Sequence, residues 1–409
     1  MRKLSLMLLV LATAVITHAQ IGVTVTGNTN TTPNLAASYP SLAAAITDLN
    51  AVTAMTGPVV LNLAAGGTET APAGGYLLGS STLNAVLSST NTITFQKNGA
   101  GANPLITAFT GTSTTVDGIF KITGADYIII DALDLQEDAA NTTNTTSMEW
   151  GYALVKLQST APFDGCQNII IRNCSISLSL SNTNTYAVYS GNHIATSTTS
   201  LSLTAASDAN SNNKFYSNTI SACSGFRMAG FADASPHALY DQNNEIGVDG
   251  ANTITDYAAG SATAYGCYAI YQNNLKFNNN SVTGGTAHTS TQYGVFISTC
   301  LQSNIDVIGN TFTLTNASTT SQVVGIGFSM GTTAGTSNTV NVSNNSIRID
   351  RPSATSGVTY FIYSTSNYPF NFNISNNTMG DSRTLASNGA VDGFYNISNP
   401  SNINITGNT

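Results

Sequence analysis

One short string recurs along the second half of the chain, and it restricts the fold more than any other feature. It reads NIIIRNCSI (168–176), NKFYSNTI (213–220), NLKFNNNSV (274–282), NIDVIGNTF (304–312), NVSNNSI (341–347), NFNISNNTM (371–379) and NINITGNT (402–409), with a degenerate copy NEIGVDGANTI (244–254). Aligned at the corner, the copies superpose Cys174, Asn218, Asn252, Asn280, Asn310, Asn345, Asn377 and Asn408, at steps of 44, 34, 28, 30, 35, 32 and 31 residues. A second motif falls between them: YALVKL (152–157), YAVYS (186–190), GFRMAGF (225–231), YGCYAIY (265–271), YGVFIS (293–298), VGIGFS (324–329), TYFIYS (359–364) and DGFYNIS (392–398). Each unit thus holds two or three short strands, in which period-two alternation sends one set of side chains inward. Such a unit cannot bury its apolar face alone, whereas stacked units share a continuous core. Stacking also lands each corner residue on its counterpart one rung away. Asparagine there tolerates left-handed backbone angles and offers its amide to the next rung, which predicts a structural ladder of Asn218, Asn252, Asn280, Asn310, Asn345, Asn377 and Asn408. A sandwich would not require the same corner residue at every turn, and the repeat lacks propeller and leucine-rich signatures. The expected architecture is all-β, a right-handed parallel β-helix solenoid.

The chain divides into three stretches. Residues 1–19 read as a signal peptide, with Arg2 and Lys3 before an apolar run and Thr17-His18-Ala19 at the cleavage point. Residues 20–56 form an N-terminal segment with a short capping helix in YPSLAAAITDLNA (39–51), where Ser41 is the N-cap and Leu42, Ala45, Ile46 and Leu49 share one face. Residues 57–409 form the β-helix, whose last repeat stops at Thr409, so truncation at that end is expected. No transmembrane segment is read. Only 8% of residues are charged and the formal charge is −8, which disfavours nucleic acid and polyanionic glycans. The five cysteines, Cys166, Cys174, Cys223, Cys267 and Cys300, match no zinc spacing and read as buried filler.

The cap, the coils and the Asn-Thr-Ile corners resemble right-handed β-helix proteins of the pectin-lyase-like superfamily. The runs YPSLAAAI, TITFQKNGAGANPLI, GADYIIIDALDLQE, MEWGYALVKL, DGCQNIIIRNCSISL and YSGNH resemble the N-terminal region of large secreted surface proteins of Gram-negative bacteria. The resemblance implies fold and export more than activity, since one scaffold hosts unrelated functions. The catalytic segments of polygalacturonase-like hydrolases, pectate lyases and epimerase-like members are missing. Arg351-Pro352 lacks the spacing that the lyase segment needs.

Chemistry is therefore sought residue by residue. Asp126, Asp131, Asp134, Glu137, Asp138 and Glu149 make the densest acidic patch. Asp131, Asp134 and Glu137 are the candidates for acid–base work, and Asp134, Glu137 and Asp138 for a calcium ion, with no other cofactor expected. Asp131 and Asp134 differ by three, so a bulge or corner is needed to put them on one side. His193, His237 and His288 read as solvated loop residues. Trp150, Tyr186, Tyr189, Tyr265 and Tyr293 are the binding candidates, because exposed rings pack on the apolar side of a pyranose. Tyr268, Tyr360 and Tyr363 extend the same stripe. Two insertions, 136–149 and 191–212, are expected to project from the solenoid and carry recognition.

These residues support a monomeric, secreted or cell-surface repeat protein, without catalysis, that acts in adhesion or glycan contact. The alternatives are a polysaccharide lyase or glycoside hydrolase acting through the acidic patch, and a spacer for a missing C-terminal module.

Overall fold

The computed structural model describes residues 20–260, 262–382 and 389–409. The export signal read in residues 1–19 lies outside them. From Val59 onward the chain winds through about ten turns of a parallel β-solenoid, each turn contributing one strand to each of three sheets. The first sheet has 13 strands, from Ser38–Tyr39 through Val59–Ala64 to Asn402–Thr406, and the corner motif supplies its later rungs. The second sheet has 10 strands, from Thr68–Thr70 to Thr378–Ser382, and follows the first after a two- or three-residue corner in most rungs. The third sheet also has 10 strands, from Tyr76–Leu78 to Val391–Asn396, and the second motif supplies its later rungs.

The register explains the repeat. Val307 of one rung pairs with Val342 and that with Ile374, so identical inward positions stack into apolar columns. Phe95, Ile130, Ile171, Phe215, Ile246, Phe277, Val307, Val342 and Ile374 are all buried and belong to one core that runs the length of the solenoid. In the final rung the inward residues Ile403 and Ile405 remain exposed.

The corner asparagines form an unbroken column. From Asn252 onward each Oδ1 accepts two hydrogen bonds from the preceding rung, while Asn218 Oδ1 accepts the Cys174 N–H alone: Asn310 Oδ1 takes the Asn280 backbone N–H at 2.8 Å and Asn280 Nδ2 at 3.2 Å. Asn345, Asn377 and Asn408 repeat the arrangement. Each Nδ2 also donates to a first-sheet carbonyl, as Asn310 does to Phe277 O at 2.8 Å. Every polar atom of these buried amides is thereby used, which is the condition for placing amides in a core. The left-handed residue is not the ladder asparagine, as the corner reading had it, but the one before it. Asn173, Ser217, Asn279, Gly309, Asn344, Asn376 and Gly407 hold φ between 55° and 72°. The chain turns there, so the next residue can point inward.

The helix Leu42–Asn50 buries Leu42, Ala45, Ile46 and Leu49, and the Ser41 side chain accepts from the Ala44 N–H. Glu69, inward-facing in the first rung, accepts from the Leu42 and Ala43 N–H groups at 2.9 and 3.1 Å, where the helix N-terminus favours a carboxylate. Strand Val23–Thr26 pairs antiparallel with Val59–Ala64 and covers the open edge of the first sheet.

The 191–212 insertion does not stand clear of the solenoid. Its Leu201, Leu203 and Ala209 pack with Phe163, Phe231 and Leu239 from adjoining loops into a satellite cluster. The 136–149 insertion folds back as well, with Asn141 Nδ2 donating to Phe109 O at 2.8 Å.

A cleft on the outer face of the third sheet

The three outer faces differ in chemistry. The first sheet carries short asparagine ladders, such as Asp306–Asn341–Asn373–Asn404. The second carries Ser175, Thr219, Thr253, Ser281, Thr311, Ser346 and Thr378 in register. The third is aromatic, and its geometry departs from simple alternation.

In that sheet the ladder skips one residue per strand. Tyr265 pairs with Tyr293 and Cys267 with Val295, with no pairing at Gly266 and Gly294. The same gap falls at Gly151, Gly225, Gly325 and Gly393. This bend turns residues three apart to the same side, as a bulge does. Tyr265 and Tyr268 therefore both face outward, with ring centroids 4.7 Å apart, while Cys267 between them is buried. Tyr293 with Phe296 (4.6 Å) and Tyr360 with Tyr363 (4.9 Å) repeat the pair. Glycine suits the bend because the strands approach closely there. A Cβ on Gly294 would lie 2.5 Å from the Gly325 carbonyl oxygen and 2.6 Å from the Phe312 ring.

Stacking extends the pairs along the solenoid. Tyr265 lies on Tyr293 at 5.2 Å and 11°, and Tyr363 on Tyr395 at 5.7 Å and 8°. Val324 and Gly327 interrupt the stripe for one rung. At its other end, Trp150, Tyr186, Tyr189, Arg227, Tyr265 and Tyr268 line a cleft of about 290 Å³. Its walls are loops on either side of the sheet, with Thr115 and Asn184 on one flank and Thr198 on the other. Asn184 ties its wall together through a hydrogen bond to Thr114 O.

Of the binding candidates, Trp150, Tyr186, Tyr189 and Tyr265 line this cleft, while Tyr293 stacks on Tyr265 in the next rung. Trp150 is only 2% exposed, so it is no open platform. It stacks on Tyr189 at 4.6 Å and packs with Ala153, Val155 and Ala195 beneath the 191–212 insertion. Burial raises Tyr189 and Tyr293 to about 12, so both phenols stay protonated, and Tyr189 donates its proton to His193 Nε2. Arg227, which the sequence reading passed over, stacks 3.8 Å above the Tyr268 ring. Glu149 sits at the back of the cleft, accepting from the Asp117 N–H and Asn182 Nδ2, and burial raises its carboxyl to about 7.

The acidic candidates do not meet. Asp131 pairs with Arg172 (2.8 Å) and accepts from Asn173 Nδ2 on the outside of the first sheet. Asp134 lies past the corner at Ala132 and accepts from Asn103 Nδ2 and the Ser175 N–H. Glu137 holds its own loop through Asn141 and the Met148 N–H, and Asp138 accepts from Ala140. Among the described residues, no three His, Cys, Asp or Glu side chains gather as a metal ion would need.

The histidines are buried, not solvated, at 4%, 7% and 0% exposure for His193, His237 and His288. His193 bonds Tyr189 Oη at 2.9 Å and braces the cleft from below, and its burial lowers its pKa. All five cysteines are free thiols in the interior.

A pH dependence follows from Glu149. Its folded pKa lies above the ordinary 4.5, so between about pH 4.5 and 7 the folded chain keeps a proton that the unfolded chain has released. This contribution to stability is full below that window and fades as pH rises through it. The Tm difference between the native chain and Glu149→Gln is expected to shift by about 2–4 °C between pH 4.5 and 8, against the native chain. A flat difference would place the carboxyl at an ordinary pKa.

No helix among the described residues is long and apolar enough to cross a membrane. No family model, curated protein or solved structure matches the chain, which stands by its fold as an all-β parallel solenoid.

Proposed function

We propose that the chain is an exported, cell-surface solenoid whose third sheet contacts glycans without cleaving them, in adhesion. The observation that carries this reading is the outward stripe of paired tyrosines ending in the Trp150–Tyr268 cleft. Aromatic faces pack on the apolar side of sugar rings, while protonated phenols and the Asn184 amide serve the hydroxyls. The cleft is at the lower end of the roughly 300–1,000 Å³ that small-ligand pockets span, and suits a short glycan segment. Regular rungs make the surface rigid, so little order is lost on binding. The lyase or hydrolase reading would need a partner for Glu149, and the neighbouring Asp117 carboxyl is held by the Thr112 and Ser113 N–H groups. The spacer reading leaves the aromatic face without a purpose.

The test is a glycan-array screen of the purified chain. Binding is expected, and Tyr265→Ala is expected to weaken it about ten-fold, because two stacked neighbours lose their partner together. Binding that survives Tyr265→Ala unchanged would move the site elsewhere, and an array without hits would favour the spacer.

A further inference from the structure

We infer that the cleft selects a glycan bearing one isolated acidic substituent, a carboxylate or a sulfate half-ester, on an otherwise neutral chain, and that Arg227 seats it. The inference rests on the glycan reading above and adds the class of sugar.

Arg172, Arg348 and Arg351 are each committed to protein acceptors. Arg172 forks onto Asp131, Arg348 reaches Asp350 at 3.0 Å, and Arg351 donates to the Val358, Ser318 and Ser321 carbonyls. Arg227 differs. Its guanidinium has no hydrogen-bond or ion-pair partner among the described residues, and Nη1 is shielded from water. Only the face of the group is occupied, by the Tyr268 ring. An unsatisfied charged donor is costly, and such groups persist in native structures where function uses them. Stacking on tyrosine supports the charge while leaving the Nε–Nη2 edge, away from the shielded Nη1, for an acceptor. A carboxylate or a sulfate matches that edge with parallel N–H···O bonds, which hydroxyls cannot do as strongly.

The surroundings restrict the ligand to a single charge. Among the described residues Arg227 is the one cation lining the cleft, and Glu149 lines it too. Lys121 is spent behind the Trp150 ring on the Val116 and Ala195 carbonyls. The chain as a whole carries a formal charge of −8, so a polyanion is repelled before it docks. The rest of the stripe is uncharged aromatic surface, suited to neutral sugar rings.

The experiment is binding of the full chain to matched probes: N-acetyllactosamine, its singly sialylated and singly 6-sulfated forms, and further array pairs that differ by one such group. Oligogalacturonate serves as the polyanion. The singly acidic member of a pair is expected to bind about ten-fold tighter than its neutral twin. Arg227→Gln should collapse that difference, Arg227→Lys should restore part of it, and Arg348→Gln should leave it intact. The carboxylate and sulfate arms show which group is preferred. Equal affinity within pairs, a preference that survives Arg227→Gln, or tightest binding to oligogalacturonate would overturn the inference and leave the glycan reading standing. Absence of binding to every glycan would remove both.

Discussion

Replacing Asn310 with alanine is expected to destabilise the chain by about 3–5 kcal/mol, measured by denaturant unfolding. The change strips the acceptor from the Asn280 N–H and Nδ2, and removes the donors to Phe277 O and Asn345 Oδ1. Asn310 is 1% exposed, so water cannot replace what is lost. A buried donor left bare costs about 1–3 kcal/mol by itself. The outward ladder supplies the control. Asn373 hydrogen-bonds Asn341 on the solvent face of the same sheet, and Asn373→Ala should cost within about 0.5 kcal/mol. Equal effects at the two positions would mean that the buried column is not what holds the corners.

Gly294→Ala should be nearly as damaging, at about 2–3 kcal/mol. Its added methyl meets the backbone of the next rung and the Phe312 ring together, and neither yields by a simple rotamer change. Because Gly294 sits at the bend between Tyr293 and Phe296, the substitution should also disturb their stacking and weaken glycan binding. Gly380→Ala, where a Cβ meets nothing within 4 Å, is the matched control and should be close to neutral. A Gly294→Ala protein with native stability would show that the strands can part at the bend.

What could be read from the sequence was whatever repeats. The corner asparagines recur once per rung, and the helix face of Leu42, Ala45, Ile46 and Leu49 follows from spacing alone. The pairing of Tyr265 with Tyr268 on one face could not be read from period two. It depends on the glycine bend, although that glycine stands two residues before Tyr268 and Phe296 alike. Arg227 could have been found by aligning Gly225 of GFRMAGF on Gly266 of YGCYAIY, which puts it in register with Tyr268. The burial of Trp150 had no local signal. It is made by Tyr189, one rung away, and by the insertion that follows it, and a lone tryptophan beside a polar loop reads as exposed. The acidic patch misled for a related reason. Closeness in sequence placed Asp131, Asp134 and Glu137 on successive sides of one coil, where each meets a local partner.

Titrating an array-selected oligosaccharide into the chain, then analysing the products in the same cell, shows whether the aromatic face binds glycan and leaves it intact. Saturable binding that Tyr265→Ala weakens about ten-fold is expected, with the oligosaccharide recovered at full length. Shortened products that disappear with Asp131→Asn, Asp134→Asn or Glu149→Gln would contradict it and make the solenoid an enzyme.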